Sequence, residues 1–245
     1  MLRLIQTEFL KLRRRKLIWS MLASALIMPF MALLYFRYPG KTGVDPLLFY
    51  KWSAFGFSLW VILPVVLGIL GTMLMHEETE CDMLRQLWIV PVNKIRYFFS
   101  KFFVTLIYSV CFMLITAVFS VLFSVLSGCV VFEWGSVLFL LKKCFEMGLV
   151  SAFVMMPVLA VAASQKGYIF PVCLTLVYTV LGFFLVTVNQ YLHPLSSLSV
   201  ILMQNNEIPG ITFTRTPNLA LAVLCICIWD IAAVLLAGFT LSRRK

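Results

Sequence analysis

Residues 102–126 read FFVTLIYSVCFMLITAVFSVLFSVL, a run without a charged residue, a proline or a glycine. A helix satisfies its backbone hydrogen bonds internally and rises about 1.5 Å per residue, so this stretch reaches roughly 37 Å, more than the ~30 Å hydrocarbon core of a bilayer. Working outward, five further stretches of the same kind fit without overlap: Leu17 to Phe36, Trp52 to Met75, Ile169 to Val188, Leu219 to Leu241, and one that is charge-free from Met147 to Ala163 and begins as early as Val137. The pattern predicts an all-α polytopic membrane protein with six transmembrane helices, a single transmembrane domain over 1–245. Composition agrees: 62% of the 245 residues are hydrophobic and 12% charged, against roughly 25% charged in a soluble domain. That excludes a water-soluble globular enzyme. The longest connection holds about 30 residues, whereas a soluble catalytic domain needs about 100 to 150. Any ATP-hydrolysing module is therefore expected on a separate polypeptide.

The formal net charge is +10, and its placement carries more than its sum. Arg3, Lys11, Arg13, Arg14, Arg15 and Lys16 precede the first span, and Arg243, Arg244 and Lys245 follow the last. Positive charge is retained on the cytoplasmic side, so the N and C termini are both expected there, with an even number of spans. On that topology 14 of the 20 Lys and Arg fall inside; Arg37, Lys41, Lys51, Lys142, Lys143 and Arg215 fall outside. No aromatic interleaving accompanies the basic residues, which points to anionic membrane lipid and no nucleic acid. Ala23-Ser24-Ala25 fits a signal-peptidase pattern, but only Leu17 to Leu22 separate it from the basic run, too few for a signal peptide's apolar region. The first span is expected to stay uncleaved.

Three segments between or before the spans have structure of their own. In 1–16, Leu2, Ile5, Phe9 and Leu12 recur at helical spacing among basic and polar neighbours, as in an interfacial amphipathic helix. It is either a plain anchor or an elbow helix that also touches a cytoplasmic partner. In 76–101, Glu77, Glu78, Glu80 and Asp82 come first and Arg85, Lys94, Arg96 and Lys101 last, an order that favours a short helix through its macrodipole. Met83, Leu84, Leu87 and Trp88 would form its apolar stripe and Pro91 would stop it. The external connection 189–218 contains Leu195 to Met203, apolar but too short to cross, as in a re-entrant or interfacial segment. Arg37 to Lys51, with Pro39, Gly40, Gly43 and Pro46, reads as the first external loop.

No catalytic constellation is present in the chain. His76 and His193 have no carboxylate or cysteine at ligand spacing, and no metal-binding or nucleophile-elbow motif occurs. Gly40-Lys41-Thr42 imitates the tail of a P-loop, but Tyr35 stands where its first glycine would be. The seven cysteines, without a CxxC pair, read as small buried hydrophobes. Four ionisable residues fall within or at the edge of spans. Asp230 would be a proton or cation site, or a hydrogen-bond partner for a neighbouring helix. Lys142, Lys143 and Glu146 would be functional or would snorkel to the interface, with Lys142 and Glu146 placed to neutralise each other at i,i+4.

The segment TEFLKLRRRKLIW at 7–19, the six spans, and HEETECDMLRQLWIVPVNKIRYFFSK at 76–101 together resemble the permease subunits of type 2 ABC exporters. Among these the chain is similar to the small permeases of bacitracin-resistance and lantibiotic-immunity transporters. The resemblance rests on Glu8 and Lys11 in an E-x-x-K pattern, and on Glu77, Glu78, Pro91, Val92 and Lys101 in the connection. It implies that two permease copies, identical or paralogous, pair in a bacterial plasma membrane, above two ABC ATPase subunits that hold ATP and Mg. It implies a coupling helix within 76–101, with Glu8, Lys11, Glu77, Glu78, Arg85, Leu87 and Trp88 at the ATPase contact. The implied function is export or removal of a membrane-active peptide antibiotic, conferring resistance or immunity. The alternatives are an ABC permease for a lipid, a glycan precursor or sodium, and an ion-coupled secondary carrier using Asp230 and Glu146.

Overall fold

An apolar stripe on a basic segment must lie against something apolar, and helix α1 (Leu2–Arg13) lays Leu12 into the core with Ile5 and Phe9 packed beside it. The computed structural model describes residues 2–13, 15–38, 44–80, 94–128, 130–165, 167–203 and 218–243. Among these residues there is no strand, and six helices are long and apolar enough to span a membrane. They are α2 (Lys16–Arg37), α3 (Pro46–His76, with the helix continuing to Glu80), α4 (Lys94–Leu126), α5 (Trp134–Ser164), α6 (Ile169–Val188) and α8 (Leu219–Arg243). The short α7 (Pro194–Met203) lies between the last two.

Prolines set the irregularities of the spans, because each removes a donor and frees the carbonyl four residues back. Pro29 frees that of Ala25, the 3-10 turn Ser24–Leu26 forms just ahead of it, and the Thr116 hydroxyl of α4 reaches the Ala25 carbonyl at 3.4 Å. Pro157 interrupts α5 at Met155, and the Tyr178 hydroxyl of α6 donates at 2.7 Å to the carbonyl of Val154, one residue beyond the Phe153 carbonyl that this proline cannot serve. A π-turn over Ser58–Ile62 leads into Pro64 of α3. With no water in the hydrocarbon core, neighbouring hydroxyls do what solvent would do elsewhere.

Two boundaries differ from the sequence expectation. The second span begins at Pro46 and not Trp52, because Asp45 caps it: its carboxylate accepts from the Leu47 amide at 3.1 Å, and Pro46 fits the first helical position. The loop expected over Arg37 to Lys51 is correspondingly shorter. Helix α4 starts at Lys94 instead of Phe102, and at about 1.5 Å per residue it is roughly 50 Å long, so its first turns stand beyond a ~30 Å core.

α3 and α5 are the most enclosed spans, each with 67% of its apolar window buried, whereas α8 has 22%. They form the centre, and α2, α4, α6 and α8 pack around them with outward faces left for lipid. α4 and α5 pack along each other, α8 lies on the second half of α5, α6 lies on α3, and α7 fits among α5, α6 and α8. A separate apolar cluster gathers Met75, Tyr97, Phe98, Phe102, Ala163, Ala237 and Leu241 at the end of the bundle that carries α1. Cysteines divide between both environments: Cys144 and Cys225 are buried, while Cys111, Cys173 and Cys227 are exposed on helix surfaces, correcting the expectation of buried thiols. In a membrane span an outward cysteine meets lipid, so apolar character does not require an inward position.

Candidate functional site

The chemistry at the α1 end begins with a misplaced charge. Glu8 lies three residues after Ile5 and four before Leu12, on the apolar stripe of α1, and is only 1% exposed. A carboxylate so enclosed needs a cation, and Lys101 of α4, also 1% exposed, supplies it through an ion pair with Oε2. Lys11 approaches Oε1 of the same carboxylate at 3.2 Å from the solvent side. The Lys101 ammonium also lies 5.2 Å from the centre of the Tyr97 ring. One acid thus sits between two bases, with the inner base held on the first turns of α4.

Seven residues earlier on α4, nearly the same helix face, the Lys94 ammonium donates to the Leu241 carbonyl at 2.7 Å and to that of Ser242 at 3.4 Å. These are carbonyls of the last turn of α8, where the helix dipole favours a cation. His76, 1% exposed, packs its ring at a tilt against that of Tyr168, 4.8 Å between centroids, near the end of α3. Glu77 and Glu78 continue that helix in its next turn. Arg85, Leu87 and Trp88, with the rest of 81–93, lie outside the described residues. Lys94 and Lys101 were legible as part of a basic run, but nothing in their spacing named Glu8 or α8 as their partners.

The second polar region lies where α6, α7 and α8 meet. Helix α7 is buried from Pro194 to Val200, and its three serines are satisfied: Ser196 donates to the Gly182 carbonyl at 2.9 Å, Ser197 to that of Gln190 at 3.1 Å, and Ser199 to that of Ser196 at 2.6 Å. His193 caps it, Nδ1 accepting from the Leu195 amide at 3.2 Å. Burial lowers the pKa of this imidazole to about 4, so the ring is neutral at pH 7, and accepting the Leu195 amide at Nδ1 places its one proton on Nε2. Its ring packs 4.2 Å from that of Tyr178, and Trp229 Nε1 donates to the Leu192 carbonyl at 3.2 Å. An apolar groove of about 260 Å³ opens beside this junction, lined by Tyr191, Leu192, Leu224, Ile228 and Trp229 among others.

Asp230 is half-buried on α8, and its Oδ1 has no hydrogen-bond partner among the described residues. On α5, Glu146 pairs with Lys143 at 2.8 Å and not with Lys142, which is exposed. Both i−3 and i−4 neighbours can reach a helical carboxylate, and the half-buried lysine gains more from pairing than the one on the outer surface. No group of three His, Cys, Asp or Glu among the described residues could hold a metal ion.

A bundle of six spans, some of whose inner polar groups join one helix to another, as Glu8 and Lys101, Ser109 and Tyr178 do, defines a polytopic membrane protein. Residues 4–182, well over half of the chain, match the model of the ABC-2 family transporter proteins, and the chain belongs to that family. It is the membrane permease of an ABC transporter, a multi-pass cell-membrane protein that works with an ATPase partner. No curated protein matches the chain.

Proposed function

We propose that this permease exports or removes a membrane-active peptide antibiotic of the bacitracin or lantibiotic class from a bacterial plasma membrane, conferring resistance. Two copies, or one copy and a paralogue, pair above two ABC ATPase subunits that bind ATP and Mg. α1 and the connection 76–101 face the cytoplasm, as do both termini, and Glu77 and Glu78, in the last turns of α3, lead into the coupling helix. The observation that carries this reading is the buried Glu8–Lys101 pair, which fastens α1 to the helix entered directly from that connection. ATP-driven closure of the ATPase subunits then displaces a rigid lever and shifts the spans between two packings. The Phe-rich outer faces and the groove beside Trp229 suit an amphipathic ligand arriving laterally from lipid.

The decisive experiment is gentle detergent extraction of the tagged chain from its native membrane. An ATP-binding protein is expected in roughly equal amount, and cells lacking the permease are expected to become more sensitive to a bacitracin and lantibiotic panel. Glu77→Ala with Glu78→Ala should lower transport per ATP hydrolysed about tenfold, within the usual range of coupling free energies. Unaltered resistance in that variant would refute the coupling role.

A second reading, an ion-coupled carrier, is favoured by the unpartnered Asp230 oxygen. Asp230 Oδ1 has no hydrogen-bond partner among the described residues and Asn is nearly isosteric with Asp, so Asp230→Asn is expected to leave assembly and ATP-driven transport unchanged. Transport abolished in a fully assembled Asp230→Asn complex would favour the carrier.

A further inference from the structure

We propose that Lys94 and Lys101 of α4 form a two-point clamp that binds the last turn of α8 and helix α1 into one rigid body, through which displacement of the connection ahead of α4 reaches the spans. This rests on the coupling role proposed above and names the residues that perform it. The two lysines are one heptad apart, about 700° around the helix, and so leave α4 from nearly the same face, about 10 Å apart along its axis. Lys94 grips the Leu241 and Ser242 carbonyls, and Lys101 grips the Glu8 carboxylate. Between them Tyr97 and Phe98, 4% and 1% exposed, belong to the apolar cluster shared with Met75 of α3 and Leu241 of α8.

The two grips differ in kind. At Lys94 the acceptors are neutral carbonyls at a half-open helix end, where the lysine can be released at modest cost. At Lys101 both charges are almost fully buried, so neither can part from the other without leaving an uncompensated ion in a low-dielectric setting. α1 is therefore not held by its apolar stripe alone, which would let it slide along the membrane surface. The ion pair fixes its register on α4, and Lys11, outside the pair, closes the same carboxylate from solvent. Lys94, Lys101 and Glu8 act as positioning residues.

Amide hydrogen exchange of the full chain in lipid nanodiscs tests the clamp without any partner. Glu8→Gln and Lys101→Met are each expected to speed exchange across α1 by about tenfold or more, with global helicity retained. Lys101→Arg, which keeps the charge, stays within about threefold of the native chain. Glu8→Lys combined with Lys101→Glu, which keeps the buried ion pair but sets the new ammonium at position 8 beside Lys11, restores part of the protection. In the complex with its co-purified ATPase, the single variants lower transport per ATP hydrolysed, and the exchanged pair recovers part of the ratio. The clamp is overturned if α1 in Glu8→Gln and Lys101→Met stays as protected as in the native chain, or if Lys101→Arg is as exposed as Lys101→Met. If no ATPase co-purifies, the coupling reading fails while the exchange comparison still decides the clamp; an ATPase partner together with unaltered α1 protection sinks the clamp alone.

Discussion

Gly148→Val is expected to abolish most of the folded, detergent-extractable protein. Gly148 sits where α5 meets α4, and a Cβ there would lie 2.9 Å from the Val110 Cα and 3.2 Å from the Ser109 carbonyl oxygen. Both are backbone atoms, so no rotamer change relieves the clash and the two helices must part. Parting them also lengthens the bond that Ser109 Oγ donates to the Gly148 carbonyl at 2.7 Å. Inside a membrane, helices associate through close packing and such bonds, without a hydrophobic drive between them. Overpacking costs about 1–3 kcal/mol and the interhelical bond adds about 0.6 kcal/mol, enough for a reduction on the order of tenfold or more in folded yield. Gly238→Ala is the control, since a Cβ at Gly238 meets nothing within 4 Å. Fluorescence-detected size exclusion and thermal melting would compare the two; equal melting temperatures would remove the close approach as a determinant of assembly.

Gly182→Val is expected to act as strongly but locally, by expelling α7 from its slot. A Cβ on Gly182 would fall 2.8 Å from the Leu195 Cβ and 3.1 Å from His193 Nδ1. The tip of Leu195 can turn aside; its Cβ cannot, and the imidazole is held by the Leu195 amide. Moving α7 breaks the two serine bonds that reach outside it, from Ser196 to the Gly182 carbonyl and from Ser197 to that of Gln190. Leaving buried polar groups unmatched costs about 1–3 kcal/mol each, so the helix either relocates or unwinds. Amide exchange over 194–203 should rise at least about tenfold while α4 and α5 stay protected. Protection of α7 equal to that of the native chain would show that the junction tolerates the side chain and that its tightness has no structural role.

The six spans were legible because the thickness of a bilayer imposes a length that no other requirement imitates, as in 102–126. The short α7 and the amphipathic α1 were legible for related reasons, one as an apolar run too short to cross and the other as a stripe at helical period. Boundaries are less so: the Asp45-Pro46 cap lies at the end of a stretch whose glycines and prolines read as loop, and the local pattern does not show where loop gives way to helix. At the candidate site, Asp230 was visible as a lone acid in an apolar run, yet its unpartnered oxygen depends on what surrounds α8. The pairing of Glu146 with Lys143 over Lys142 was likewise undecided, since helical spacing permits both.

Glu8 shows where the division falls. Its position on the apolar stripe of α1 is a property of the order of residues, and it follows that this carboxylate must find a cation. Which of the 20 lysines and arginines answers it does not follow, because Lys101 lies 93 positions away and comes within reach only when α4 packs beside α1. Period, length and charge asymmetry act along the chain and are written in it; partnership between helices depends on distances that close only when the bundle forms. For this permease the number of spans and the membrane as solvent were therefore settled by residue order alone. The clamp, the seat of α7 and the close contact at Gly148 arose from packing, since each turns on a few ångströms between segments far apart in the chain.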